Sequence, residues 1–138
     1  MKRLKRAGII FWEDKVKAEL NRFLADDFFR NKIVIWLSVI SLVVNLAEWI
    51  LLWIYIKPVD FPIIIHYNVY RGVDLMDSWH QVFVLPLVGI ILFVINLFLA
   101  LYFYRAKERI ASYLLLIAIL MLQLSFLVAS ISVIIINY

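Results

Sequence analysis

The sequence contains no cysteine, only three glycines and three prolines, and few charged residues for a chain of 138 residues. The absence of cysteine excludes disulfides and thiolate metal sites, although it does not identify the compartment. Charged residues make up 17% of the chain and hydrophobic residues 66%, against about 25% and roughly 45–50% in soluble domains. A single globule of this size cannot bury so large an apolar excess, because its surface-to-volume ratio is too high. We expect a lipid bilayer to cover the remainder.

Three long apolar runs contain neither lysine nor arginine, and they cover residues 33–56, 82–104 and 110–136. Each exceeds the 18 or so residues that a helix needs to cross roughly 30 Å of hydrocarbon. Helices are required there, because isolated strands would leave backbone amides unpaired in lipid. The sequence therefore predicts an all-α integral membrane protein with three transmembrane helices. Residues 1–32 form a basic segment ahead of the membrane domain of residues 33–138.

The lysines and arginines are distributed unevenly around these runs. Nine of the fourteen precede residue 33, and three more, Arg105, Lys107 and Arg109, lie in the short second connection. The long connection, residues 57–81, has only Lys57 and Arg71. By the positive-inside rule, the amino end and the short connection are cytoplasmic, whereas the long loop and the carboxyl end lie outside. The basic residues that give the net charge of +4 therefore set the orientation of the chain in a cytoplasmic membrane, and we expect no nucleic-acid partner.

The basic amino-terminal segment has an amphipathic pattern over residues 10–29. Its apolar residues recur at helical spacing: Trp12, Val16, Leu20, Phe23, Leu24 and Phe28. This pattern predicts an amphipathic helix in the cytoplasmic interface, with aromatic side chains at headgroup depth. A helix docked on a partner protein is the alternative.

Polar residues inside the spans predict a buried cluster. Glu48 is the one ionisable residue there, and a charged carboxylate costs about 2.5 kcal/mol or more at that depth. One helical face carries four polar residues at spacings of three, four and three: Ser38, Ser41, Asn45 and Glu48. Counting helical rises places four residues from the three spans at similar depth: Asn45, Glu48, Asn96 and Gln123. The cluster is interpreted as interhelical hydrogen bonding, as a proton, ion or ligand site, or as a self-associating face.

Local signals predict the ends of the second and third helices. The connection 105–109 lacks glycine and proline, which favours a tight antiparallel helical hairpin. Ser78 followed by Gln81 fits a capping box and predicts a helix start near Trp79. Pro86 would then lie within the helix, where a missing N–H favours a kink.

The long outer connection carries the candidate binding residues. Residues 63–69 are β-branched and apolar, which favours a short extended segment, and Gly72 offers a positive φ to a following turn. His66 and Asn68 fall on one face of such a strand, and Asp74 returns beside them after the turn. These side chains can hold a polar ligand or a metal, or they can bond the loop's own backbone. We expect no metal and no cofactor, because one histidine and one carboxylate make a poor metal site.

At these residues the chain resembles SdpI-type bacterial membrane proteins and related small bacterial membrane proteins of no assigned function. The resemblance lies in one spacing, followed by a Leu85-Pro86 helix: Pro62, His66, Asn68, Gly72 and Asp74. It extends over roughly residues 33–96. It implies a role in toxin immunity or signalling without enzymatic chemistry. With only three spans and an added amino-terminal segment, this chain matches the loop scaffold better than the immunity role.

The sequence favours a non-catalytic interaction protein, a membrane subunit or an immunity-like factor, whose partners are the bilayer and other membrane proteins or a second copy. The alternative is an oligomeric ion or proton channel or transporter component that uses Glu48. An enzyme is disfavoured, because the sequence has no phosphate-binding loop, no His-Glu-x-x-His motif and no nucleophile elbow. The plausible catalytic side chains outside the membrane are His66, His80 and Asp74.

Overall fold

The computed structural model describes residue 15 and residues 26–68, 70 and 72–137 of the chain. Its regular elements, in chain order, are helices α1 (Asp27–Arg30) and α2 (Lys32–Tyr55), strands β1 (Ile63–Asn68) and β2 (Gly72–Asp77), a 3-10 helix (Trp79–Phe83), and helices α3 (Val84–Arg105) and α4 (Arg109–Asn137). The three predicted membrane helices are present, with ends within three residues of the predicted ones.

Each of the three long helices is long and apolar enough to cross a bilayer, so the chain is a multi-pass membrane protein. In each span, only 22% of the most apolar window is buried against the rest of the protein. The remaining apolar side chains face outward, which is stable only where another apolar medium covers them. The spans are Lys32–Tyr55, the 3-10 helix together with α3 (Trp79–Arg105), and Arg109–Asn137.

The three spans pack as an up-down-up bundle. Contacts between α2 and α4 advance in the same direction along both helices, so these two helices run parallel. Asn31 contacts Tyr104 and Asn45 contacts Pro86, so α3 runs antiparallel to them. Two buried apolar clusters lie toward opposite ends of the bundle. The cluster at the end bearing the α3–α4 turn, here the turn end, comprises Phe28, Val34, Ala100, Leu101 and Leu116. The cluster at the end bearing the strands, here the hairpin end, comprises Leu52, Ile56, Ile63, Val82 and Val133.

The predicted tight turn between α3 and α4 is confirmed and has a defined geometry. Lys107 adopts a positive φ of 66°. The N–H of Lys107 donates to the carbonyl of Tyr104 at 3.1 Å, and the N–H of Glu108 donates to the carbonyl of Phe103 at 2.9 Å. This pair of bonds is the Schellman arrangement that ends many helices, here with lysine where glycine is usual. It satisfies two carbonyls at the end of α3 and reverses the chain within three residues.

The predicted capping box at the start of the second span is wrong, whereas the predicted helix start at Trp79 is confirmed. The oxygen of Ser78 accepts no hydrogen bond from a helix N–H, and its hydroxyl donates to Oδ1 of Asp77 at 3.2 Å. The helix does start at Trp79, but its first five residues form a 3-10 helix and α3 begins only at Val84. Pro86 is therefore the third residue of α3 and follows directly on the 3-10 helix, and the kink expected near it stays a prediction.

The connection at the hairpin end contains a two-stranded antiparallel sheet, so the fold is not purely helical. Ile63 pairs with Asp77 and Asn68 with Gly72, with register irregularities on either side of His66. Gly72 has a φ of +79°, which confirms the positive φ expected for this turn. Such a conformation costs other residues roughly 1–2 kcal/mol, because Cβ approaches the following carbonyl oxygen.

The end of the predicted interfacial helix packs against the protein itself. Phe28, which the sequence placed at headgroup depth, is fully buried in the turn-end cluster beside Ala100 and Leu101. Its ring meets that of Tyr104 edge to face at 5.4 Å. Asp26 caps α1 by accepting from the N–H of Phe28. The rest of that prediction, apart from residue 15, lies outside the described residues.

Candidate functional site

A layer of buried amides joins all three spans between the two apolar clusters. Nδ2 of Asn45 on α2 donates to the carbonyl of Pro86 at 3.0 Å and to Oε1 of Gln123 at 3.2 Å. Nε2 of Gln123 on α4 donates to the carbonyl of Gly89 at 2.9 Å. Because the first turns of α3 contribute backbone carbonyls, two amide side chains connect three helices. We call these four residues the amide layer.

Gly89 allows the close approach that the amide layer requires. A Cβ at this position would lie 2.8 Å from Nδ2 of Asn45 and 2.9 Å from Oε1 of Gln123. Both distances are shorter than real Cβ contacts, so any larger residue displaces the amides. Close backbone approach at a small residue is a general feature of helix packing in membranes.

Glu48 lies one helical turn from Asn45 and is also fully buried. Its Oε1 accepts a hydrogen bond from Oγ of Ser130 at 2.6 Å, which links α2 to α4. Its other oxygen, Oε2, is buried and has no hydrogen-bond partner in the described part of the chain. A buried carboxyl oxygen without a partner is costly, so this position is not explained by helix packing alone.

Asn96 does not join this cluster, and its prediction from helical depth is wrong. Its Nδ2 donates to the carbonyl of Leu92 within the same helix at 2.9 Å. Gly89, which does contact the amide layer, lies seven residues away, or roughly 10 Å along α3. Ser130, a true partner of Glu48, was missed because its contact depends on how α4 is rotated about its axis.

The four outer-loop candidates all lie on the hairpin. His66 is exposed on β1 opposite Leu75. Asn68 ends β1, Gly72 begins β2, and Asp74 lies on β2 at the irregular part of the register. The side chains of Asn68 and Asp74 fall outside the described atoms, so their predicted convergence with His66 stays a prediction. Within the described residues, no group of three acidic, histidine or cysteine side chains can hold a metal ion.

The last described residue of α4 holds the hairpin on the bundle. Oδ1 of Asn137 accepts from the N–H of Ile64 at 2.9 Å, and its Nδ2 donates to the carbonyl of Ile64 at 2.6 Å. The side-chain amide thus bonds both backbone groups of one β1 residue, as a neighbouring strand would. The same Nδ2 donates to the carbonyl of Val133, which fixes the amide relative to α4. The hairpin is therefore positioned by a side chain 73 residues away.

Beneath the hairpin lies a groove of about 740 Å³. We call it the hairpin groove. The two strands form one side of the groove, and the start of the second span and the end of α4 form the other side. The apolar residues that line the groove include Ile65, Leu75, Val82, Leu85, Ala129, Val133 and Ile136. The polar residues that line it are His66, Asp77, Gln81 and Ser132. A largely apolar groove with a few polar groups is typical of small-molecule sites. Among these polar residues, the sequence had singled out only His66 as a binding candidate.

Polar contacts also hold the turn end of the bundle. Asn31 caps α2, since its Oδ1 accepts from the N–H of Ile33 at 2.9 Å. Its Nδ2 donates to the hydroxyl of Tyr113 at 2.8 Å and to that of Tyr104 at 3.3 Å. One side chain thus joins the beginning of α2, the end of α3 and the beginning of α4.

An ion pair lies beside this contact. Nε of Arg105 donates to Oδ2 of Asp26 at 2.8 Å. The pKa of Asp26 is lowered, chiefly because its carboxylate accepts a hydrogen bond from the N–H of Phe28. Desolvation by burial opposes this effect, and the hydrogen bond and charge of Arg105 add to the lowering. The ionised carboxylate therefore stabilises the folded state.

These contacts suit structural and binding roles, since the described side chains bring together polar groups that bond one another or line a groove. No known protein family, curated protein or solved structure matches the chain.

Proposed function

We propose that the chain is a non-catalytic integral membrane protein that acts through protein–protein contacts inside the bilayer, with α4 as its contact surface. The supporting observation is the outward face of α4. Three small residues are exposed there at intervals of seven, Ala118, Ser125 and Ser132. Between them lie Met121, 59% exposed, and Val128, 63% exposed. We call this face the α4 seam.

The α4 seam differs from the other outward faces. Apart from charged residues at their ends, α2 and α3 expose only large apolar or aromatic side chains along their described lengths. Bulky apolar side chains suffice for contact with lipid. Small residues allow a second helix to come close, and helix association in membranes depends on that close packing.

The spacing of the α4 seam also matches helix pairing. Small and large residues alternate at steps of four and three, which keeps one stripe of a helix facing a partner in a left-handed coil. The hydroxyls of Ser125 and Ser132 donate to the carbonyls of Met121 and Val128 in their own helix. Their contribution is therefore small size rather than an interhelical donor. A second copy of the chain or another membrane protein fits such a surface, including an assembly of the immunity or signalling type.

Energy transfer between labelled full-length chains in vesicles, together with co-purification after mild detergent extraction, tests this proposal. Ser125→Leu should abolish association, because it places a large side chain where the backbones approach. Val94→Phe is the matched control, since it enlarges an exposed residue on α3 and should leave association unchanged. A wild-type chain that is monomeric at all protein-to-lipid ratios and retains no partner would refute the proposal.

We also propose that the hairpin end lies outside the cell and the turn end in the cytoplasm of a bacterial-type inner membrane. The positive side chains at the turn end support this orientation, with Arg105, Lys107 and Arg109 around its loop. Reporter fusions after residue 107 and within the hairpin should report from opposite compartments. Reporting from the same side would contradict the arrangement.

An oligomeric proton or ion pathway through Glu48 is the second candidate. Its support is the buried Oε2 without a hydrogen-bond partner among the described residues, since ionisable groups within spans commonly mark ion or proton routes. Flux measurements on reconstituted vesicles distinguish the two functions. Equal flux for the wild type and Glu48→Gln would exclude Glu48 from any transport mechanism.

A further inference from the structure

The hairpin groove lies at the level where the spans end. The wall nearer the bilayer centre is formed by the spans, with Leu85 near the start of α3 and Ile136 near the end of α4. The opposite wall is formed by the hairpin, where Ile65 and Leu75 line the groove. A ligand in it would have one part at membrane depth and another part among the polar groups outside. This position is suited to an amphiphile.

The charges on the groove are of one sign. Asp77 is the charged carboxylate of its lining, and neither lysine nor arginine is among the described lining residues. The hydrogen bonds of Asp77 both fall on Oδ1, which accepts from the N–H and the hydroxyl of Ser78 at 2.6 and 3.2 Å. These bonds fix the carboxylate while Oδ2 keeps its capacity to accept a further donor.

From this geometry we propose that the hairpin groove binds a phospholipid with a primary-amine headgroup, whose ammonium contacts Oδ2 of Asp77. One of its two acyl chains occupies the apolar part between α3, α4 and the hairpin. The groove volume of about 740 Å³ falls within the roughly 300–1,000 Å³ of ligand pockets. The amide of Gln81 can donate to the headgroup phosphate, which supplies the one anionic group of such a lipid. This site shares Ser132 with the α4 seam, but its headgroup contact at Asp77 lies outside the seam and does not depend on a protein contact there.

Headgroup charge distinguishes this lipid from the others of a membrane. An ammonium donates hydrogen bonds to a carboxylate, whereas a quaternary choline nitrogen has no N–H to donate. An acidic lipid such as phosphatidylglycerol brings net negative charge beside Asp77 and is disfavoured. The specificity of the groove therefore resides in a single carboxylate.

Native mass spectrometry of the full chain in mild detergent, titrated with each lipid, measures this preference. Phosphatidylethanolamine should bind about fivefold more tightly than phosphatidylcholine or phosphatidylglycerol, a ratio at the upper end for a partly exposed ion pair. Asp77→Asn, which keeps the size of the side chain, should remove the preference. Asp60→Asn is the matched control, because Asp60 is an exposed carboxylate of the same connection that does not line the groove. Ala129→Leu should weaken the binding of all three lipids by filling the apolar part.

Two further measurements keep the test independent of how well each variant folds. Phosphatidylethanolamine acetylated on its nitrogen lacks the ammonium and keeps the negative phosphate, so it should bind the wild type as weakly as phosphatidylglycerol does. Asp77→Glu keeps the carboxylate and should retain part of the preference. Equal binding of all lipids to the wild type, or an unchanged preference in Asp77→Asn, would overturn the proposal. A Ser125→Leu variant that no longer self-associates but keeps the lipid preference would support lipid binding by the groove separately from the proposed protein contact.

Discussion

The amide layer predicts a large effect from adding a single methyl group at Gly89. In Gly89→Ala, the new Cβ would lie 2.8 Å from Nδ2 of Asn45 and 2.9 Å from Oε1 of Gln123. Both atoms are at the ends of side chains that can rotate away, so the steric conflict itself is relieved at low cost. Rotation breaks the hydrogen bonds, however, and leaves buried amides without partners.

The expected magnitude follows from two opposing terms. Replacing glycine by alanine inside a helix favours the helix by about 1 kcal/mol. Interhelical hydrogen bonds in membranes contribute about 0.6 kcal/mol on average and up to roughly 1.7. The three bonds of the layer therefore sum to about 2–5 kcal/mol. The loss is larger than the gain, and we expect Gly89→Ala to lower the free energy of unfolding by about 1–4 kcal/mol.

Reversible unfolding in mixed micelles, with denaturing detergent as the variable, measures this change. The matched background is the double variant Asn45→Ala/Gln123→Ala, which removes both amides that the methyl group would displace. In that background Gly89→Ala should be neutral or stabilising, because only the propensity term remains. The same destabilisation in both backgrounds, or a more stable Gly89→Ala in the otherwise native chain, would refute the reasoning.

Three other positions give distinct expectations. Ser130→Ala removes the donor to Glu48 and should lower the free energy of unfolding by about 1–3 kcal/mol. Adding Glu48→Leu to this variant should recover part of the loss. An unchanged unfolding midpoint in Ser130→Ala would contradict the contribution of this contact. Folding lowers the pKa of Asp26 below its ordinary value of 3.8, so the ionised carboxylate stabilises the folded state above about pH 4. This stabilisation is lost as the pH falls through the lowered pKa of the folded state. The free energy of unfolding should therefore fall between pH 7 and pH 2, and it should fall less in Asp26→Asn than in the wild type. An identical pH profile for the two proteins would exclude Asp26 as a source of the acid-dependent loss of stability. Asn137→Ala removes both bonds to Ile64 and should accelerate hydrogen exchange across the hairpin while the amides of α2 stay protected. Asn137→Asp keeps the acceptor but turns a carboxylate oxygen toward the carbonyls of Ile64 and Val133, so it should accelerate exchange at least as much. Unaltered exchange in both variants would show that the hairpin is held elsewhere.

Much of the fold was predictable because its causes are local in the chain. The three spans follow from length and hydropathy, and the turn at 105–109 follows from its short length between two long helices. The strand at Ile63–Asn68 and the positive φ of Gly72 follow from β-branched residues and a flexible glycine. The capping box at Ser78 was wrong: the helix begins as a 3-10 helix, and the side chain of Ser78 bonds Asp77 and accepts no helix N–H.

The partners of the polar residues were decided by tertiary structure. Helical spacing correctly placed Asn45 and Gln123 at a common depth, and it placed Asn96 there wrongly. Depth counted from the sequence depends on how the helices align along their axes, and it was wrong by roughly 10 Å for Asn96. Rotation about the helix axis, which determines which side chain points inward, cannot be counted from the sequence at all. The sequence by itself therefore determined that this chain is a three-span membrane protein with a polar interior. The packing of the helices alone decided that Glu48 meets Ser130 and that Asp77 lines a groove, because those contacts join residues far apart in the chain.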